Sequence, residues 1–173
     1  DFPFITLVGI VDADLALHQA DYRAVERCYQ LITQVAGRAG RGEYTGEVVL
    51  QTYSPKHYVY TYASSYDYVG FYRKEVALRK TTHFPPFAKV LRVLFSGDEL
   101  TDIMNEMKVV HEKIMSIKDD YPNAFIFLKA VACPVKKIKT KLRYEILMRL
   151  TSDSDVIIPL VYDAVKLVNT KKV

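Results

Sequence analysis

The chain has 173 residues, half of them apolar and a quarter charged, with a formal net charge of +4. That is the composition of an ordinary globular protein, large enough for one substantial domain or two small ones. It holds no apolar run of membrane-spanning length, and its amino terminus lacks the basic, apolar, small-residue order of a secretory signal. The charge is too mild to establish a nucleic-acid partner by itself. Cys28 and Cys133 belong to no C-x-x-C pair, which argues against a zinc knuckle or a disulfide framework and fits packed thiols in a reducing cytoplasm. The opening Asp1-Phe2-Pro3-Phe4 carries no Met, and the ending Lys171-Lys172-Val173 stops where a strand is expected. Both suggest a piece of a longer chain.

Ile5–Val11 is a short, β-branched apolar run ending in Asp12-Ala13-Asp14, the pattern of a buried strand in a parallel sheet. From Asp21, an available N-cap, the period changes: Val25, Cys28, Tyr29, Ile32, Val35 and Ala36 recur at helical spacing until Gly37, Gly40 and Gly42 close the helix. Residues 46–53 read as a second strand, and Ser54-Pro55 as the opening of another helix. Strand, helix, strand is the unit of an α/β doubly wound sheet. The composition loosens near Ser64-Ser65, which places a domain boundary near residue 65. A helix over 66–80 leads to the breaker Phe84-Pro85-Pro86-Phe87.

The remainder reads strand (89–95), helix (100–117), strand (124–132), strand (137–149) and helix (156–169), with Pro159 tolerable only because it falls near that helix's start. This β-α-β-β-α order is a split βαβ, ferredoxin-like unit without its closing strand. The fold class expected is therefore α/β in residues 1–65, followed by an α+β domain in 66–173.

Chemistry concentrates in Gln34-Val35-Ala36-Gly37-Arg38-Ala39-Gly40-Arg41, a Q-x-x-G-R-x-G-R pattern that arises by chance in roughly one chain of this length in 10⁵. Arg38 and Arg41, three apart, project from one face if the helix continues through them, about 5–6 Å apart. Arginine's planar fork binds phosphate oxygens in bidentate fashion and keeps its charge. Gly37 and Gly40 remove side chains where a nucleotide or another lobe approaches, and Gln34 offers a neutral hydrogen bond one turn earlier. For a single arginine, complementing the helix dipole and a glycine cap is the commoner role. The eight-residue pattern as a whole favours function.

That pattern resembles motif VI of the second large helicase superfamily, and the run from Asp1 to Asp14 resembles the end of motif V and its following strand. Together with Asp21–Arg27, Gly70-Phe71-Tyr72-Arg73, Phe84–Phe87 and Leu142–Leu147, it is similar to the replication-restart helicases of the primosome along essentially the whole chain. The damage-recognising excision-repair helicases share the strand and Asp-Ala-Asp phrase but not the later segments.

The resemblance implies a partial second RecA-like lobe (1–65) and a carboxy-terminal domain that contacts DNA and partners. It implies that Asp1, Gln34, Gly37, Arg38 and Arg41 face ATP, with Arg41 the arginine finger. It implies 3′→5′ unwinding at abandoned forks in the bacterial cytoplasm, near the nucleoid. The partners implied are branched and single-stranded DNA, the single-strand-binding protein and other primosome proteins. ATP and Mg²⁺ are the cofactors of the full-length protein, whose zinc-binding cysteines lie outside this chain. A divalent-metal site at Asp12 and Asp14 is conceivable, although a turn or cap is the usual work of such aspartates. The sequence contains no G-x-x-x-x-G-K-[ST] phosphate loop and no evident Walker B motif, so the fragment alone is expected not to hydrolyse ATP.

Lys137, Lys139, Lys141 and Arg143 alternate with Ile138, Thr140, Leu142 and Tyr144, which on one strand makes a wholly basic face able to track phosphates. Protection of an exposed edge strand by lysines is an equal reading. Tyr58, Tyr60, Tyr62, Tyr66, Tyr68 and Tyr72 are expected to pack an inter-domain seam rather than stack on bases. The scattered histidines suggest no metal site. A non-catalytic DNA- and protein-binding module stands as the alternative to a helicase fragment.

Overall fold

The structure is a computed structural model that describes residues 5–40 and 45–169. It has mixed α/β architecture in two compact units, one ending at Leu78 and the other beginning at Arg79.

In the first unit, β1 (Leu7–Ile10) runs parallel to β2 (Glu47–Leu50), with Leu7 opposite Glu47 and Ile10 opposite Leu50. Between them lie a short helix α1 (Asp14–Leu17) and the amphipathic α2 (Ala24–Ala36). Asp21 is not the residue at the α2 cap position, which is Arg23. Its carboxylate instead accepts the Arg23 backbone N–H at 2.9 Å and pairs with Arg27 at 3.0 Å. Cys28, Tyr29 and Ile32 of α2 pack with Ala13, Val59, Tyr60, Ala63 and Phe71 into one buried cluster.

Two helices follow β2: α3 (Tyr58–Ser64) and α4 (Tyr68–Thr82). The division falls inside α4 rather than near residue 65. Phe71 stacks on Tyr29 with centroids 4.3 Å apart, and Glu75 accepts a 2.7 Å hydrogen bond from the Tyr58 hydroxyl. The first turns of α4 are thereby part of the first unit. Tyr60 is buried and Tyr58 and Tyr62 are half-buried around this same cluster, whereas Tyr66, Tyr68 and Tyr72 are more than half exposed.

The second unit is β3 (Ala88–Gly97), α5 (Leu100–Asp120), a 3₁₀ turn at Pro122–Ala124, β4 (Phe125–Ile138), β5 (Lys141–Thr151) and α6 (Ile157–Asn169). Its three strands are antiparallel in the order β3-β5-β4. On β5 the even-numbered residues Ile146, Met148 and Leu150 are fully buried. They pack with Ile103, Val110, Ile114 and Ile117 of α5 and with Ile157 and Val161 of α6, so the helices cover one face of the sheet. Pro159 occupies the third residue of α6, where a missing N–H leaves no intrahelical bond unmade. Arg149, on the other sheet face, lies between the Phe84 and Phe127 rings at 4.9 and 4.8 Å and donates to the Thr82 carbonyl at 2.7 Å.

The boundary between the last two strands differs from the sequence reading. β4 runs on to Ile138, Lys139 and Thr140 form a tight turn, and β5 starts at Lys141. The lysine alternation continues across a hairpin rather than along one strand.

Candidate functional site

The glycine-arginine motif does not continue the helix. α2 ends at Ala36, Gly37 closes it with φ −66° and donates to the Thr33 carbonyl at 3.0 Å. The chain then tightens: the Arg38 and Ala39 N–H groups reach back to the Val35 and Ala36 carbonyls at 3.1 Å, three residues each time. The expectation of two arginines on one helical face therefore fails, because Arg38 sits in a turn beyond the helix. Arg41 and Asp1 lie outside the described residues. Gln34 is in the last turn of α2, and both it and Arg38 are exposed. No hydrogen bond or ion pair holds the Arg38 guanidinium among the described residues.

What fixes this turn is backbone. Gly40 has φ +73° and donates its N–H to the Ile5 carbonyl at 2.9 Å, just ahead of β1. Gly46, just ahead of β2, passes so close that a Cβ there would lie 2.2 Å from the Gly40 nitrogen and 2.4 Å from the Ala39 carbonyl carbon. Gly40 thus answers to its left-handed backbone and Gly46 to a close approach. The sequence reading did not single out Gly46. The turn is anchored at the amino-terminal ends of both parallel strands.

At the opposite, carboxyl ends of the strands lies Asp14, 2% exposed. Its carboxylate accepts from the Thr52 hydroxyl at 2.8 Å, the Tyr53 backbone N–H at 2.7 Å and the Tyr60 hydroxyl at 3.1 Å. Burial by itself pushes this carboxyl up, but the bonds from Tyr53, Thr52 and Tyr60, with the nearby His18, outweigh it and hold the group below its ordinary value. The Tyr60 hydroxyl is pushed up to about 12, chiefly by burial. Asp14 is thereby a latch joining the two loops that leave β1 and β2. Asp12 is exposed with φ +52°, a turn residue. No group of three or more His, Cys, Asp or Glu among the described residues is placed to hold an ion.

His57 caps α3 by accepting the Val59 N–H on Nδ1 at 3.3 Å. Burial lowers its basicity, against the opposing pull of Asp14 and Glu75. Cys28 and Cys133 are free and buried, and burial pushes the Cys28 thiol up to about 11, an inert packed group.

The basic residues separate. Lys137 is on β4 opposite Leu142, Lys139 is in the turn with φ +54°, and Lys141 and Arg143 are on β5 opposite Ile138 and Ser96. β5 is the central strand and Arg143 lies opposite Ser96 of β3, so edge protection does not explain Arg143, whereas Lys141 lies beyond the last β3 pairing at Leu142 and Lys137 is on the edge strand β4.

No family model matches the chain. It is 37% identical to the replication restart protein PriA of Bacillus subtilis over 89% of its length and 36% identical to that of Synechocystis over 92%. The Rickettsia felis protein of the same name is 39% identical over 85%. The chain is a relative of PriA along nearly its whole length, and it spans only 19–22% of the length of these curated relatives. Among the described residues no helix is long and apolar enough to cross a membrane.

Proposed function

We propose that the chain is part of an ATP-dependent DNA helicase of replication restart, in which the turn after α2 forms one wall of the ATP site. The first unit reads as part of a second RecA-like lobe and the second as a ferredoxin-like domain whose order β3-β5-β4 awaits a strand beside β3. The observation that carries the reading is an exposed Arg38 with no hydrogen-bond or ion-pair partner among the described residues, on a turn pinned by a backbone bond to Ile5 and packed against Gly46. A guanidinium held ready and unpaired suits a phosphate anion. Arg38 and Arg41 would neutralise charge that builds on the transferred phosphoryl group, an effect worth roughly 10³–10⁵ in turnover for such arginines. Gln34 and Gly37 would line the same wall, with Asp1 near the nucleotide. In this reading the magnesium and the phosphate loop come from elsewhere in the full-length protein. Fork DNA in the cytoplasm and the single-strand-binding protein are the partners this reading implies.

A second reading is a binding module in which the arginine turn, bonded to Ile5 and packed against Gly46, is scaffold. DNA-stimulated ATPase of the full-length protein separates the two. An Arg38→Ala variant that folds and binds DNA yet loses turnover supports the helicase reading, and undiminished turnover supports the module.

A further inference from the structure

The hairpin joining β4 and β5 is the most cationic exposed segment among the described residues of the second unit. Every residue from Pro134 to Lys141 is exposed. Four of these eight are lysines (136, 137, 139 and 141) and none is acidic. No carboxylate among the described residues lies within ion-pair distance of the four. Val135 and Ile138 are about half exposed among them, at 56% and 49%.

Register decides what this charge can embrace. Residues directly opposite each other in an antiparallel pair share a face. Lys137 is opposite Leu142, which packs toward the helix-covered core, so Lys137 takes that side of the ribbon. Ile138 is opposite Lys141, which takes the other side, and Lys139 stands at the tip. The β4 strand accommodates this through a register shift between Ala132 and Lys137, where four residues of β4 oppose Arg143 alone. The lysines thus surround the ribbon. A single nucleic-acid strand offers one line of phosphates and engages one face. A duplex groove has a phosphate line on each side, and a two-stranded ribbon, about 4.8 Å between strands, enters a major groove about 12 Å wide.

We infer that the Pro134–Lys141 hairpin is a groove-inserted arm for double-stranded DNA, touching phosphates of both strands with Lys137 on one side and Lys141 on the other. This rests on the reading of the chain as a DNA-engaging segment. Thr140 donates to Asp98 at 3.1 Å, which ties the tip to the loop ahead of α5 and steadies the arm. Val135 and Ile138 supply apolar contact to sugars and thymine methyls.

The test compares the 173-residue chain with a K137Q/K139G/K141Q variant by fluorescence anisotropy over a salt series. The probes are a duplex of about 20 base pairs, two helical turns, and a single strand of the same length. Glycine at 139 suits the φ of +54°, so the variant keeps a favourable turn, and thermal melting verifies its fold. If three contacts are lost, the slope of log affinity against log salt on duplex falls by about 2.7, at roughly 0.9 per phosphate. Single-strand binding should change far less. An unchanged duplex slope overturns the arm while leaving DNA engagement intact. Equal losses on both probes overturn groove insertion in favour of a diffuse cation. Binding of neither probe by the unaltered chain sinks the arm and DNA engagement by this segment together, leaving the ATP-site reading to its own assay.

Discussion

Gly46→Ala is the sharpest perturbation of the arginine turn. The added Cβ would lie 2.2, 2.4 and 2.7 Å from the Gly40 nitrogen, the Ala39 carbonyl carbon and the Gly40 Cα. Ordinary carbon contacts begin near about 3.5 Å, so the Ala39–Gly40 backbone must retreat by about 1 Å. All three atoms are main chain, and no side-chain rotation relieves the overlap. Overpacking of this kind costs about 1–3 kcal/mol, and losing the 2.9 Å bond from Gly40 to Ile5 adds about 1 kcal/mol. The expected destabilisation of the first unit is therefore about 2–4 kcal/mol, large against the usual domain stability of about 5–15 kcal/mol. Gly9→Ala is the matched control, because a Cβ there meets nothing within 4 Å; it should be neutral or stabilising by about 0.5–1 kcal/mol. With two units in the chain, a global melt would blur the effect. Hydrogen exchange of β1 and β2 amides across a urea series reads it locally. A Gly46→Ala chain whose β1 and β2 protection lies within about 0.5 kcal/mol of the unaltered protein would refute the close-packed turn.

His57 gives a pH signature. Its folded pKa lies below the ordinary 6.5, so the unfolded chain binds the extra proton first. The capping contribution is therefore intact above pH 6.5 and is lost as pH falls from there toward the folded value; protonation also removes the Nδ1 acceptor for Val59. Melting of α3 at pH 7.5 and 5.5 should show this loss, and His57→Asn, a non-titrating cap, should abolish the difference. Asp14, whose pKa is lowered, stabilises above about 3.8 and loses that contribution as pH falls further. An Asp14→Asn chain should accordingly show reduced protection of the Tyr53 amide at pH 7. Arg149→Lys keeps the charge but forfeits the planar stack between Phe84 and Phe127, and should cost the second unit about 1–2 kcal/mol in urea unfolding. Ile146→Ala, at a fully buried position, should cost about 2–5 kcal/mol there.

Much of the fold was legible because period and punctuation agree. The α2 stripe of Cys28, Tyr29 and Ile32 buries the face its spacing predicts, and the apolar runs flanking it pair in parallel. The β4–β5 turn was not legible. It carries no Gly, Asn or Pro, and Lys139 adopts the left-handed backbone without those cues, so the lysine alternation masks the break. Ser64-Ser65 looked like a domain boundary but marks only the α3–α4 joint, because Phe71 and Glu75 beyond it pack back onto Tyr29 and Tyr58. The arginine motif was legible as a motif, but its geometry was not. Gly37 ends α2 before Arg38, and Gly46's role depends on a contact with Gly40 that no local pattern announces. The Asp14 latch joins residues 38 to 46 positions apart, beyond the reach of any periodicity.

The central claim is that Arg38 serves phosphate chemistry rather than the fold. The direct measurement is steady-state, DNA-stimulated ATP hydrolysis by the full-length protein carrying Arg38→Ala and, separately, Arg38→Lys, with fold checked by hydrogen exchange at α2 and β2. Because Arg38 has no partner among the described residues, protection should be unchanged. Turnover should fall by about 10³-fold or more in Arg38→Ala and be only partly restored by lysine, which lacks the bidentate fork. Turnover within a few-fold of the unaltered protein in a correctly folded Arg38→Ala variant would contradict the account.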